Sequence, residues 1–309
     1  MASVKGFTGV SIPQPWEVVK EFDFTAHSGS GGLTHTFSDG VAYEWEGVDW
    51  TCRNLSNYGT SIKFINGTGL EMVIDAGDTA AHANWYSTFM NCPLLAASIE
   101  DIVSGYDMSD TICLQTLLTS STGGSYSPAD GQYQSSFLLA TDGGYGKAPE
   151  VSSTGNWLGV GCYANGDADH TQAWVRYGGL TAATSAPVMT AGLAGKRFPT
   201  FYELIVLPAG ATSIGSTATT SSSGADVTAF PNPLTTTEFR GVGHKQETYG
   251  YQITNMPGGA GSAAPSYDLR PSNLKVVLSS RIYTASPPNT MTFTTVFSKL
   301  RVLRRPRHD

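Results

Sequence analysis

Residues 38–75 limit what this chain can fold into more than any other stretch. They open S-D-G-V-A-Y-E-W-E-G-V-D-W and, after a polar link, continue S-I-K-F-I-N-G-T-G-L-E-M-V-I-D. Asp39-Gly40 is a tight-turn dipeptide, and beyond it Val41, Tyr43 and Trp45 alternate with Ala42, Glu44 and Glu46, the period of two that marks a half-buried strand. Gly47 ends that run. Ile62, Phe64 and Ile65 then lead into Asn66-Gly67-Thr68-Gly69, a reversal rich in residues that tolerate positive φ, and Leu70, Met72 and Ile74 alternate with Glu71, Val73 and Asp75. A series of strands joined by short turns predicts antiparallel β structure.

The same rhythm predicts strands at 16–24, with Trp16, Val18, Phe22 and Phe24 on one face, and at 111–120, 132–140, 157–164, 171–177, 200–207, 273–284 and 291–303. Residues 92–104 carry both periods: Pro93 fits the first position of a helix, and Leu94, Leu95, Ile99, Ile102 and Val103 make a helical stripe. With β neighbours on both sides, the reading here is a strand over 97–103. Residues 208–226, mostly Gly, Ala, Ser and Thr, read as a long surface loop. The chain of 309 residues can bury one sizeable core. The expected fold is all-β, a two-sheet antiparallel β-sandwich or jelly roll with long loops. Residues 1–15 are expected to form an N-terminal arm, 16–298 the sandwich, and 299–309 the end of the last strand with a basic tail.

Charge is sparse and uneven. Only 14% of residues are charged, so the surface must be largely hydroxyl and amide, a composition common in secreted and viral β proteins. Residues 299–309 hold five basic residues and Asp309, a charge of +4, which leaves residues 1–298 with 13 basic against 24 acidic residues, or −11. An acidic body argues against broad nucleic-acid binding, while the tail suits an acidic neighbour. The first residues lead into no apolar signal region, and no stretch is long enough to span a membrane, so synthesis in a cytoplasm without a signal peptide is expected. Cys52, Cys92, Cys113 and Cys162 are widely spaced and read as buried free thiols.

The order of a D-G turn, a strand ending E-G-V-D-W, the run I-N-G-T-G-L-E-M-V-I-D, then F-Y-E-L-I-V-L and a final strand resembles the concanavalin A-like lectin/glucanase fold. Within it, the chain is similar to the versions found in tailed-phage virion proteins, over roughly residues 16–303. The resemblance implies a twisted sandwich used in a virion as capsid decoration, tail or fibre component, or receptor-binding module.

Candidate chemistry follows from residue types. Glucanases of that fold project carboxylates from one strand as E-x-D-x-x-E, a spacing absent here, and Glu44 with Glu46 reads as a solvated strand face. Trp45, Trp50, Tyr58, Trp85 and Tyr86, with Asn84, are candidates to stack on and hydrogen-bond a glycan, although the same aromatics suit a core or an interface. Asp167 and Asp169 alternate in a polar loop and are the candidate ligands of a calcium ion, beside the simpler reading of a polar turn. Arg301, Arg304, Arg305 and Arg307 offer bidentate donors to carboxylates of a neighbour and are the candidate assembly contact. The expected function is a non-enzymatic virion structural protein whose partners are copies of itself, as a homo-oligomer, and other virion proteins. The alternatives are a glycan-binding lectin-like module, with a cell-surface glycan as partner, and a glycan-active hydrolase or lyase.

Overall fold

A computed structural model describes residues 15–29, 32–53, 60–75, 93–106, 110–124, 131–141, 157–165, 171–179, 182–185, 201–206, 213–219, 229–230, 232–233, 248–254, 274–284 and 291–305. They form two antiparallel sheets packed face to face. The first runs β15 (Thr248–Thr254), β14 (Ser213–Thr219), β13 (Phe201–Val206), β8 (Thr111–Gly124), β17 (Met291–Arg305), β6 (Gly69–Asp75), β5 (Thr60–Ile65), β2 (Thr34–Thr36), with β1 (Glu17–Asp23) also on β17. The second runs β12 (Ala182–Ser185), β11 (Thr171–Gly179), β10 (Trp157–Asn165), β9 (Gly131–Thr141), β16 (Leu274–Thr284), β7 (Leu94–Ser98), β4 (Val48–Arg53), β3 (Ala42–Trp45). The expected all-β, two-sheet antiparallel sandwich is therefore the observed fold.

Each sheet has two halves. Strands β1 to β7 supply one half of both sheets, and β8 to β15 supply the other. The last two strands join them: β16 lies between β9 and β7, and β17 between β8 on one edge and β6 followed by β1 on the other. Ser280 and Thr295 hydrogen-bond across the sandwich at 3.1 Å and tie the two joining strands together.

The partners of β17 change at one point. Phe297 pairs with Leu70 of β6, Lys299 pairs with Asp23 of β1, and a bulge at Ser298 separates them. Gly69 sits at that junction with φ of 124°, and a β-carbon there would lie 2.6 Å from the Phe297 carbonyl oxygen. Both the dihedral and the contact require glycine. Gly69→Ala should lower stability by about 2 kcal/mol or more, from backbone strain and a shift of β17, and a lowered midpoint in a urea titration is the check.

The core lies between the sheets. Its centre is aromatic: Phe22, Phe24, Trp45, Trp50 and Phe64 are all buried, with Trp50 edge-on to Phe22 at 5.2 Å and to Phe24 at 5.7 Å. Leu114, Leu118, Leu300 and Val302 from the first sheet, and Leu95, Val276 and Leu278 from the second, extend it.

Several local expectations are corrected. A bulge between Val18 and Lys20 breaks the parity of β1, so Phe22 and Phe24 enter the core while Val18 is half-exposed. Val41 lies outside β3 and is 58% exposed, because the chain turns at Glu46-Gly47, where φ of 52° and 75° makes a tight two-residue hairpin ending on Val48. Of residues 97–103 only Ala97 and Ser98 are strand, as the end of β7. After β7, the Ser98 hydroxyl accepts from the Glu100 N–H and starts one helical turn, α1 (Ile99–Ile102), which buries Ile99 and Ile102. The loop expected over 208–226 contains β14, paired on both sides. The last strand, expected over 291–303, continues to Arg305. Residues 1–14 and 306–309 lie outside the described residues.

Candidate functional site

The proposed sugar platform does not form around the two central tryptophans. Trp50 is fully buried and Trp45 is 9% exposed, each against Phe22, Phe24 and Phe64, so neither has a face for a sugar ring. The strands that carry them alternate inward at these positions, and burying a large ring stabilises the interior more than presenting it to water. Tyr58, Asn84, Trp85 and Tyr86 lie outside the described residues, as do Asp167 and Asp169. Among the described residues no three His, Cys, Asp or Glu side chains gather as metal ligands. Glu44 and Glu46 are part of the hairpin turn: Glu44 accepts from the Gly47 N–H, and Glu46 pairs with Lys20 at 3.5 Å.

Three of the four candidate arginines are described, and each has partners within the chain. Arg301 belongs to a row that crosses four strands on the outer face of the first sheet. Glu203 of β13 is opposite Gln115 of β8, Gln115 opposite Arg301 of β17, and Arg301 opposite Glu21 of β1. The Gln115 amide nitrogen donates to Glu203 Oε2 at 2.6 Å, while its oxygen accepts from Arg301 Nε and Nη2 at 2.9 and 2.6 Å. Only this orientation of the amide satisfies a carboxylate on one side and a guanidinium on the other. Glu203 and Gln115 are buried, and the Phe230 ring covers Arg301 at 4.5 Å. Cys113 lies in the same layer, 3.7 Å from Glu203, and burial together with that carboxylate pushes its thiol well above the ordinary range. The hydrogen bonds of the row tie β13, β8 and β17 together, and the buried Cys113 thiol stays protonated within it.

Arg304 and Arg305 occupy the end of β17 beside the start of β1. Arg304 approaches Glu17 at 3.8 Å and Asp110 at 3.9 Å. Arg305 lies over the Trp16 ring at 4.3 Å. Arg307 lies outside the described residues. The thiols of Cys52 and Cys113 are free and buried, as expected, and Cys52 donates to the Ser38 carbonyl with its pKa pushed up to about 11 by burial. Cys92 lies outside the described residues.

A second cluster was not legible in the sequence. The short strands β2 and β3 are edge strands of the two sheets on one side of the sandwich, and His35 of β2 stacks on Tyr43 of β3 with ring centroids 3.5 Å apart. His27, fully buried, holds the Tyr43 hydroxyl at 2.9 Å through Nε2. A β-carbon on Gly29 would run into that hydroxyl, so glycine makes the closure possible. Burial lowers the pKa of both histidines below the ordinary 6.5, and His35 further disfavours a charge on His27. Protonation is thus weaker in the folded state than in the unfolded one, and stability is lost as pH falls from about 6.5 toward the lowered folded values. The melting temperature should fall between pH 7 and pH 5, and His27→Phe should flatten that dependence, as followed by circular dichroism. An equally steep fall in the variant would remove His27 from the account.

No protein family model and no curated protein matches the chain. Among solved structures, it is similar to the CBM2 module of the evolved Dit of Lactobacillus casei BL23 phage J-1, at 10% identity over 96% of this chain and 100% of that one, with a TM-score of 0.42. It is also similar to an endo-1,3-beta-glucanase from Streptomyces sioyaensis, at 12% identity over 97% of this chain and 100% of that one, with a TM-score of 0.38. A family 7 alginate lyase, A1-II′, solved in complex with substrate, matches at 10% identity over 86% of this chain and 85% of that one, with a TM-score of 0.36. At these scores none of the three assigns an activity, ligand or partner to this chain, whose kind is given by its own geometry: an all-β sandwich of two antiparallel sheets.

Proposed function

We propose that this chain is a non-enzymatic virion structural subunit that assembles through the end of the molecule where its first and last strands meet. One observation supports this reading above the others. Strands β1 and β17 pair antiparallel with Glu17 opposite Arg304, so the chain before Pro15 and the chain after Arg305 are attached side by side at one end of one sheet. Two segments leaving from neighbouring points can form a single contact with another subunit, and repetition of one contact builds a closed homo-oligomer. The order of turns and strands, which resembles tailed-phage virion proteins, supports the same reading, as does the use of Glu17, Glu44, Glu46, Asp110, Glu203, Cys52 and Cys113 in structural contacts.

The test is the mass of the full-length protein by light scattering over a range of concentrations, beside a glycan array and a reducing-end assay on β-glucan and alginate. Discrete oligomers without glycan retention or turnover are the expected result. A monomer at every concentration that is retained on glycans replaces this reading with the lectin-like module, and turnover replaces it with a hydrolase or lyase.

A further inference from the structure

We propose that the corner where β2 meets β3 is a pH-operated latch: neutral His27 holds it shut, and a proton on His27 releases the two edge strands while the rest of the sandwich stays folded. The parts of the latch are gathered at one place. His35 is on an edge of the first sheet and Tyr43 on an edge of the second, and their stacked rings close the space between the sheets along that side. Phe37 meets both rings edge-on, at 4.8 and 5.8 Å. Behind the pair lies His27, fully buried, with Nε2 on the Tyr43 hydroxyl and its ring stacked on Phe64 at 5.0 Å.

The switch atom is His27 Nδ1, which is buried and has no hydrogen-bond partner. In the neutral ring with the proton on Nε2, the Tyr43 oxygen accepts that proton and Nδ1 is a bare lone pair. An imidazolium has two N–H donors, so the second would be a charged donor buried without an acceptor, which is the costlier state. The rings of Phe64 and Trp45, 5.0 and 5.6 Å away, attract a cation. They replace only part of the hydration that a buried imidazolium gives up.

No anion makes up the difference. From β2, the titratable group facing His27 is His35, which opposes its charge. From β3, Tyr43 is the hydrogen-bond partner, Glu44 bonds to the Gly47 N–H, and Glu46 beyond the strand pairs with Lys20. From β5, Lys63 alternates with the buried Ile62 and Phe64 and so points to the other face. Asp23, before the turn that carries His27, is engaged with the Thr25 N–H and with Lys299.

The loss is local because of where the strands lie. β2 has three residues and pairs only with β5, and β3 has four and pairs only with β4. Their release leaves the β5–β6 and β4–β7 pairings and both joining strands in place, and short edge elements are the first to open below global unfolding. Opening bares the outer edges of β5 and β4 beside the rings of Phe37 and Tyr43. Acid therefore uncovers two strand edges that neutral pH conceals, and such edges accept another strand.

The experiment is hydrogen exchange of the full-length protein between pH 7 and pH 5, corrected for the intrinsic pH dependence of exchange, with peptides over 33–45 compared with those over β16 and β17. Protection over 33–45 should fall by up to about ten-fold per pH unit below 6.5 for one proton, while β16 and β17 keep theirs. His27→Phe should abolish the fall. His35→Phe should keep it and move it to higher pH, because the charge opposing His27 is gone. Constant protection over 33–45, or an equal fall in β16 and β17, overturns the latch. A fall that persists in His27→Phe, or disappears in His35→Phe, overturns the assignment to His27, and the His35→Phe profile decides this even if His27→Phe does not fold.

Discussion

A chain ended after Ser298 is expected not to fold, while one ended after Arg305 is expected to fold as the full chain does. The cut at Ser298 removes Leu300, Val302 and Leu303, all buried. It also removes the hydrogen-bonded edges that hold β1 and the first half of β8. Each large aliphatic lost from a core costs about 2–5 kcal/mol, so three such losses alone approach the whole stability of a typical domain, about 5–15 kcal/mol. The released β1 would carry Phe22 out of the aromatic centre as well. Soluble expression followed by thermal denaturation reads the result: the shorter chain should be insoluble or melt without a cooperative transition. A cooperative transition near the full-length temperature would mean that residues 299–305 are an appendage after all.

Trp50→Ala should lower stability by about 3–5 kcal/mol. The ring is fully buried, meets Phe22 and Phe24 edge-on, and lies 6.2 Å from Phe64 at 89°. Its neighbours are large rings held by β1, β5 and the turn that follows β1, so they cannot collapse into the space. A guanidinium chloride titration should show a lower midpoint with an unchanged slope. The same substitution separates two uses of tryptophan: a sugar-stacking ring in water could be removed with little change in stability, whereas this one cannot. An unchanged midpoint would return Trp50 to the list of binding residues.

The sequence displayed the strands whose apolar residues alternate, such as β8, β16 and β17, because burial on one face of a pleated strand leaves a period of two. It concealed those whose place depends on pairing. Ser213–Thr219 reads S-I-G-S-T-A-T, with a single large aliphatic, and is a strand because β13 and β15 hydrogen-bond it on either side. The bulge near Val19 put Trp16 and Val18 on the face opposite Phe22, which no alternation rule foresees. The row Glu203–Gln115–Arg301 joins residues 88 and 186 positions apart, and the only local hint was a glutamate inside the apolar run F-Y-E-L-I-V. Lysine and arginine near a chain end suggest a solvated tail by composition alone. Their use inside the sheet follows from β17 lying between β8 and β1, which is long-range information.

The joining position of β16 and β17 also sets an order of events during synthesis. Both halves of each sheet precede in the chain the strands that must sit between them, so neither sheet can close while residues 274–305 are still inside the exit tunnel or untranslated. Until then the inner edges of β8, β9, β6 and β7 have no permanent neighbours, and these are the edges most open to pairing with another nascent chain. The arrangement acts as a proofreading step. A chain terminated before residue 274 lacks both joining strands and cannot close either sheet.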